Sequence, residues 1–149
     1  MKIEEEIYQV KFRNKNHKSA VNVIYTFNWI YEKHMELLKP FGLTIPQFNI
    51  LRILRGHSPL PANIKLLKKR MMDKMSDASR LVEKLRIKGL VERRICDKDR
   101  RNVDVLITEA GLKLLKEIDR KENEFDKLTA NLTSEEMDQL NYLLDKMRG

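Results

Sequence analysis

The sequence predicts a mainly α-helical fold with one small β-hairpin. Apolar residues recur at steps of three and four along most of the chain, two β-branched-rich segments lie close together near residue 100, and helix-capping signals punctuate the pattern. The chain has 149 residues, of which 42% are hydrophobic and 35% charged, a composition typical of globular proteins. One domain spanning residues 1–149 is therefore expected.

The first long helix is predicted from Lys18 to Phe41, because two apolar stripes follow helical spacing there. The first stripe contains Val23, Phe27, Ile30, His34, Leu37 and Phe41, and the second contains Val21, Ile24, Tyr25 and Trp29. A helix that is apolar on two sides packs on two sides. This suits a central helix or one shared with a dimer partner.

A second helix is predicted to begin after Thr44. Thr44 and Gln47 have the spacing of a capping box, and Pro46 is tolerated in a first helical turn. The helix should end at Gly56, because glycine readily takes the left-handed conformation past a helix end.

Two further helices form a helix-turn-helix candidate. The first is predicted over 62–71. The second starts near Lys74 with Asp73 as its N-cap, ends at Lys88, and is followed by Gly89 in the left-handed conformation.

The hairpin is predicted from strands at 91–96 and 102–107, joined by the loop 97–101. Thr108 would cap a helix running to about Thr129. A capping box of Thr133 and Glu136 would open the last helix. The predicted order is four helices, a hairpin and two helices.

The positive charge of the chain is concentrated in one segment. Residues 62–101 contain fourteen Lys or Arg and six Asp or Glu, so this segment accounts for the whole formal net charge of +8. A surface that binds a polyanion must concentrate charge in this way, whereas a charge that serves solubility would be spread along the chain. An ordinary solvated charged face is the alternative.

Several classes of function are disfavoured. The one cysteine, Cys96, excludes an intramolecular disulfide, and no Cys/His spacing suits a metal. The three histidines are isolated and no nucleophile motif or glycine-rich phosphate loop occurs, so neither an enzyme nor a cofactor is predicted. The acidic N-terminus and the absence of a long apolar stretch predict a cytoplasmic protein with no membrane partner.

The second helix of the helix-turn-helix carries the candidate nucleic-acid contacts. If its apolar side faces the core, the opposite face presents Ser76, Asp77, Arg80 and Lys84, with Ser79 at the flank. Short polar side chains allow close approach to base edges, and Arg80 has the reach for a guanine or a phosphate. Lys84 and Lys88 suit phosphates. Ordinary exposed helix positions are the alternative for each residue taken singly.

The hairpin loop is the second candidate contact. In Asp97–Arg101, an aspartate could orient one arginine and leave its neighbour free to enter a narrow minor groove. A charged loop that only protects a β-edge is the alternative.

These residues together resemble the MarR family of bacterial winged helix-turn-helix transcription regulators. The resemblance rests on Ser79-Arg80-Leu81-Val82-Glu83-Lys84-Leu85, Lys88-Gly89-Leu90-Val91-Glu92-Arg93, the residues Asp97, Asp99 and Arg101, Leu106-Ile107-Thr108-Glu109-Ala110-Gly111, and Leu43-Thr44-Ile45-Pro46-Gln47-Phe48. It extends loosely over residues 20–147.

The resemblance implies a homodimer that binds a pseudo-palindromic operator in double-stranded DNA and usually represses transcription. The winged helix-turn-helix lobe would span 44–108, with helical dimerisation regions at 1–40 and 109–149. The positions that match the family's DNA contacts are Ser76, Asp77, Ser79 and Arg80 in the recognition helix, for the major groove, and Asp99, Arg100 and Arg101 in the wing, for the minor groove.

The resemblance also implies a small aromatic or anionic effector that releases the DNA. Candidate pocket residues are Tyr25, Trp29, His34, Phe41 and Phe48, for which ordinary core packing is the alternative. Some members of the family sense oxidants through cysteine, but an inert strand thiol is favoured for Cys96, since no resolving cysteine is present.

A winged-helix module that binds RNA or protein is the competing function. RNA recognition favours aromatic stacking residues, and none occurs in residues 62–101. This absence favours duplex DNA.

Overall fold

The computed structural model describes residues 1–95 and 103–149 and confirms the predicted fold class. The protein is mostly helical with a small three-stranded antiparallel sheet of order β1-β3-β2. Its elements are α1 (Ile3–Glu6), α2 (Lys15–Leu38), α3 (Ile45–His57), β1 (Ala62–Asn63), α4 (Ile64–Arg70), α5 (Ala78–Ile87), β2 (Val91–Ile95), β3 (Val103–Ile107), α6 (Glu109–Asp119), α7 (Glu122–Asp126) and α8 (Ser134–Arg148), with 3₁₀ turns at Lys39–Phe41 and Lys127–Thr129. The chain forms two compact units, Met1–Glu36 and Leu37–Gly149.

In the first unit, α1 is an element that the sequence pattern missed. Lys18 forms an ion pair with Glu4 at 2.5 Å, and the Tyr25 hydroxyl donates a hydrogen bond to Glu6 at 2.8 Å. Helix α2 begins earlier than predicted because the side chain of Asn14 accepts a hydrogen bond from the backbone N–H of His17, at 2.9 Å, and thereby caps the first turn.

Helix α3 opens as predicted. The Thr44 hydroxyl accepts a hydrogen bond from the Gln47 N–H, and the Gln47 side chain accepts one from the Thr44 N–H, at 3.4 and 3.1 Å. The predicted end at Gly56 was wrong, because α3 continues to His57. The following residue, Ser58, precedes a proline, and this disfavours the helical conformation more effectively than the glycine does.

The sheet contains a short strand that was predicted as part of a helix. β1 pairs with β3 through Ala62 and Val105, and Asn63 then caps α4 by accepting a hydrogen bond from the Leu66 N–H at 2.8 Å. β2 and β3 pair as predicted, with Arg93 opposite Val105. Two residues are too few to show a strand period, so only the pairing with β3 reveals β1.

The connection after the hairpin is tightly packed. Thr108 caps α6 as predicted, accepting a hydrogen bond from the Gly111 N–H at 3.1 Å. A Cβ atom at Gly111 would lie 2.4 Å from the backbone oxygen of Leu90, so glycine is required for this approach.

The prediction of a single helix from Thr108 to about Thr129 was wrong, because α6 ends at Asp119. The Lys121 N–H donates a hydrogen bond to the oxygen of Ile118 at 2.8 Å, which tightens the last turn. α7 and a 3₁₀ turn follow. The capping box of Thr133 and Glu136 opens α8 as predicted.

The core of the second unit consists mainly of residues from α3, α5, the sheet and α6. Its buried residues are Leu38, Leu43, Ile50, Leu51, Ile53, Leu54, Ala62, Leu67, Met71, Ala78, Val82, Leu85, Val91, Val105, Leu115 and Ile118. None of the helices that the structure describes combines the length and apolar character needed to cross a bilayer.

Candidate nucleic-acid interface

Helix α5 is anchored by one face and exposed on the other. Ala78, Val82 and Leu85 are buried against the core, as the spacing predicted. The opposite face includes Arg80 and Lys84, four residues apart, and both side chains are exposed. The buried face therefore fixes the position of α5 against the core, and the exposed face carries the positive charges of Arg80 and Lys84.

The turn before α5 is built differently from the prediction. Asp77, rather than Asp73, is the N-cap, and its carboxylate accepts a hydrogen bond from the Arg80 N–H at 3.1 Å. Asp73 instead organises the preceding turn, where it accepts hydrogen bonds from the Met75 N–H at 2.9 Å and from the Ser76 hydroxyl. The Ser76 hydrogen bond lowers the pKa of the Asp73 carboxyl below its usual value. The predicted start of the helix near Lys74 was wrong, because Asp73 caps a turn that precedes α5.

The five predicted recognition residues thus fall into two groups. Ser79, Arg80 and Lys84 lie within α5 with exposed side chains. Ser76 lies before the helix and is half-buried, and Asp77 is exposed but holds the cap. Asp77 therefore caps α5, whereas the hydroxyl of Ser76 binds Asp73 in the turn that precedes it.

Glu83 links the outer side of α5 to the hairpin, and sequence reasoning missed this role. Its carboxylate lies 2.8 Å from Arg86 in the same helix and 3.2 Å from Arg93 in β2. The hydrogen bond from Arg86, with a smaller contribution from Arg93, lowers the pKa of Glu83 to about 2. The spacing of three residues between Glu83 and Arg86 could have indicated the first pair. The second depends on where β2 lies.

Strands β2 and β3 form the paired part of the predicted wing. β2 and β3 pair from Val91 opposite Ile107 to Ile95 opposite Val103. The predicted wing contacts Asp99, Arg100 and Arg101 lie outside the described residues, as does Cys96.

The candidate effector residues occupy different settings. The Tyr25 hydroxyl is bound to Glu6, and burial lowers the pKa of His34. Phe48 stacks on Phe125 with ring centroids 6.4 Å apart, which is core packing. Phe41 lies under the ammonium group of Lys121, at 5.5 Å from the ring centroid. Trp29 lies in α2 with about two fifths of its surface exposed, 39%.

Known proteins resemble this chain in sequence and in fold. The model of the MarR family matches residues 43–103. The multiple antibiotic resistance protein MarR of Escherichia coli strain K12 is 31% identical over 115 residues, which span 75% of this chain and 78% of that protein.

Two solved structures extend the comparison to the fold. A mutant MarR from E. coli complexed with operator DNA aligns with a TM-score of 0.76 at 25% identity, covering 99% of both chains. BpsR of Bordetella bronchiseptica, whose DNA binding is regulated by 6-hydroxynicotinic acid, aligns with a TM-score of 0.74 at 21% identity, covering 89% of this chain and 99% of that one. At this identity the second likeness shows the fold alone.

Proposed function

This chain belongs to the MarR family of transcription regulators, and we propose that it is a homodimeric, sequence-specific repressor acting in the cytoplasm. The proposal rests on one observation, which is that α5 is buried on one face and exposed on the other. Its inner residues are buried in the core, while Ser79, Arg80 and Lys84 face outward from the segment that holds the chain's whole excess of positive charge. A helix that enters a major groove needs this combination.

In this proposal the lobe 44–108 docks on DNA. α5 enters the major groove, where Arg80 contacts a guanine edge and Ser79 allows close approach. Asp77 fixes the start of the helix, and Ser76 lies just before it, near the base edges. Asp99, Arg100 and Arg101 form the wing in the minor groove; this part of the proposal rests on their sequence match to the family.

The regions 1–40 and 109–149 form the proposed dimerisation surface. α2 and α8 both leave large apolar side chains exposed, among them Ile24, Phe27, Met35, Tyr142, Leu143 and Met147. A monomer gains nothing from so much exposed apolar surface, whereas a second copy would remove it from water. A two-fold dimer would place two α5 helices about one turn of DNA apart, roughly 34–36 Å. The solution mass should be twice the 17.7 kDa of one chain.

Release of the DNA by a small aromatic or anionic effector completes the proposal. The regulation of BpsR by 6-hydroxynicotinic acid supports it by analogy of fold. A panel of small aromatic carboxylates that includes 6-hydroxynicotinate would be titrated into the protein–DNA complex. Dissociation caused by at least one member would support an effector, and an intact complex with all of them would contradict it.

The test of the function is a selection of bound sequences from random duplex DNA, using the full chain. A recovered pseudo-palindrome with salt-sensitive binding would support the proposal. Recovery of unrelated sequences would contradict specific recognition. A reporter placed behind the recovered palindrome should lose expression when the protein is present, and increased expression would contradict repression.

A further inference from the structure

Three charged side chains meet between α5 and β2, within the second unit. Oε2 of Glu83 accepts hydrogen bonds from Nε of Arg86 at 3.0 Å and from Nη1 of Arg93 at 3.2 Å. Oε1 of the same carboxylate accepts one from Nη2 of Arg86 at 2.8 Å. Two guanidinium groups therefore share one carboxylate, and the cluster retains one positive charge that Glu83 does not neutralise.

The two arginines use their donors differently. Arg86 binds Glu83 through two nitrogens, so its planar fork is committed to the carboxylate. Arg93 binds Glu83 through Nη1 alone, and in the part of the chain that the structure describes it binds no other acceptor. The side chain of Arg93 is 38% exposed. Glu83 thus orients Arg93 and leaves most of its N–H donors available to a partner outside the chain.

The position of Arg93 follows from the period of the strand. Side chains two residues apart in a strand share a face, so Arg93 lies on the same face of β2 as the buried Val91. Glu83 follows Arg80 by three residues and lies on the same outer side of α5. Arg93 is therefore held between the proposed base-reading side of α5 and the strand that leads into the predicted wing.

The geometry of duplex DNA supplies a partner at this position. A major groove and the adjacent minor groove are separated by one sugar–phosphate backbone. With α5 in the major groove and the wing in the minor groove, that backbone passes between α5 and the hairpin. A guanidinium group held there meets a phosphate, with which arginine forms short, charge-assisted hydrogen bonds.

We propose that Arg93 binds the DNA phosphate between the two grooves and that Glu83 is the residue that positions Arg93 for this contact. The contact rests on the proposed function and extends it to a residue outside α5 and the wing loop. A phosphate contact carries no base information, but it fixes the register of the protein on the duplex. The ion pair with Arg86 offsets the negative charge of Glu83, which would otherwise repel the phosphate.

Arg93→Gln removes the proposed contact, and Arg94→Gln is its matched control. Arg94 is the next residue of β2, so its side chain lies on the opposite face of the strand, where it pairs with Glu92 at 2.6 Å. Both variants therefore lose one positive charge from a strand position that is paired with a glutamate. Thermal melts would establish that both are folded.

The first measurement is the salt dependence of binding to the selected duplex. Each lost phosphate contact lowers the magnitude of the slope of log Kobs against log salt by about 0.9, so Arg93→Gln should lower it by about 1.8 in a dimer. Arg94→Gln should leave the slope unchanged. Equal slopes in the two variants would contradict the contact.

The second measurement locates the phosphate. A neutral methylphosphonate would replace one phosphate at a time along the selected duplex. At one position in each half-site, this replacement should weaken binding of the wild type and of Arg94→Gln, but it should not weaken binding of Arg93→Gln any further. A profile that Arg93→Gln shares with the wild type at every position would overturn the contact.

The positioning role of Glu83 predicts a result of opposite sign to the effect of charge alone. Loss of a carboxylate from a DNA-binding surface should strengthen binding if only net charge matters, and Glu92→Gln measures that effect. Glu83→Gln should instead weaken binding about threefold per protomer, because Arg93 loses the ion pair that orients it. The double variant with Arg93→Gln should bind no more weakly than Arg93→Gln alone. Unchanged or tighter binding by Glu83→Gln would remove the positioning role.

Specific binding by the wild type separates this contact from the proposed function. If the wild type prefers the selected duplex while Arg93→Gln and Arg94→Gln behave alike, the phosphate contact is wrong and the proposed function stands. If the wild type does not distinguish the selected duplex from a scrambled one, both are wrong.

Discussion

Helices α5 and α2 differ in how much of their apolar surface the chain itself covers. α5 has 10 residues and buries Ala78, Val82 and Leu85. α2 has 24 residues and buries only Leu38, while Phe27 remains 59% exposed. In the proposed function, α5 reads bases and must be rigid relative to its own core, whereas α2 would keep its apolar surface for a second copy of the chain. The contrast in burial is the one that this proposal requires.

The largest expected effect comes from breaking the internal anchoring of α5. Leu85 is fully buried, so Leu85→Ala should lower the free energy of unfolding by about 2–5 kcal/mol, through lost burial and the cavity left behind. Urea denaturation would measure this difference. Ile87→Ala, two residues away at a position that is 73% exposed, should change it by less than about 0.5 kcal/mol. Equal effects at the two positions would show that α5 is not anchored by this face.

A smaller effect is expected from a substitution in α2, and it should change self-association rather than the free energy of unfolding. Phe27→Glu should weaken self-association at least about tenfold, or ~1.4 kcal/mol, because a charge would be buried between two copies. Sedimentation equilibrium would measure it. Asn28→Glu adds the same charge at the neighbouring exposed position and serves as the control. Self-association unchanged by Phe27→Glu would remove α2 from the dimer surface.

The smallest effect concerns the ion pairs that tie α5 to β2. The pKa of Glu83 is about 2 in the folded protein against a usual value of 4.5, so its carboxylate stabilises the fold above pH 4.5. That contribution is lost as the pH falls from 4.5 to about 2. The free energy of unfolding, measured by chemical denaturation at a series of pH values, should fall less steeply with decreasing pH in Glu83→Gln than in the wild type. Matching declines would contradict the network with Arg86 and Arg93.

Local chemistry made some of the fold predictable from sequence. Thr44, Thr108 and Thr133 each cap a helix as predicted, because a cap needs only its own first turn. The exposed positions of Arg80 and Lys84 followed from helical periodicity alone.

Features that depend on distant residues were not predictable. β1 exists because β3 pairs with it. The ion pair between Asp119 and Arg55, at 2.5 Å, joins residues that are 64 positions apart in the chain, so no local pattern indicates it. The sequence pattern predicted Asp73 as the cap of α5, but Asp77 is the cap, and the hydrogen bond from Ser76 to Asp73 shows that Asp73 belongs to a separate turn.

The candidate site also combines features that were predictable from the sequence with features that only the structure reveals. The exposed positions of Arg80 and Lys84 on α5 were predicted from spacing, whereas the ion pair of Glu83 with Arg93 crosses from helix to strand and required the structure.

Arg80→Ala most directly tests the proposal that the exposed face of α5 reads DNA sequence. The affinities of the wild type and the variant would be measured for the selected palindrome and for a scrambled duplex, at one salt concentration. The ratio of the two affinities should fall by about tenfold or more in the variant, since one base contact contributes roughly 1–3 kcal/mol of discrimination. An unchanged ratio with folded protein would contradict it.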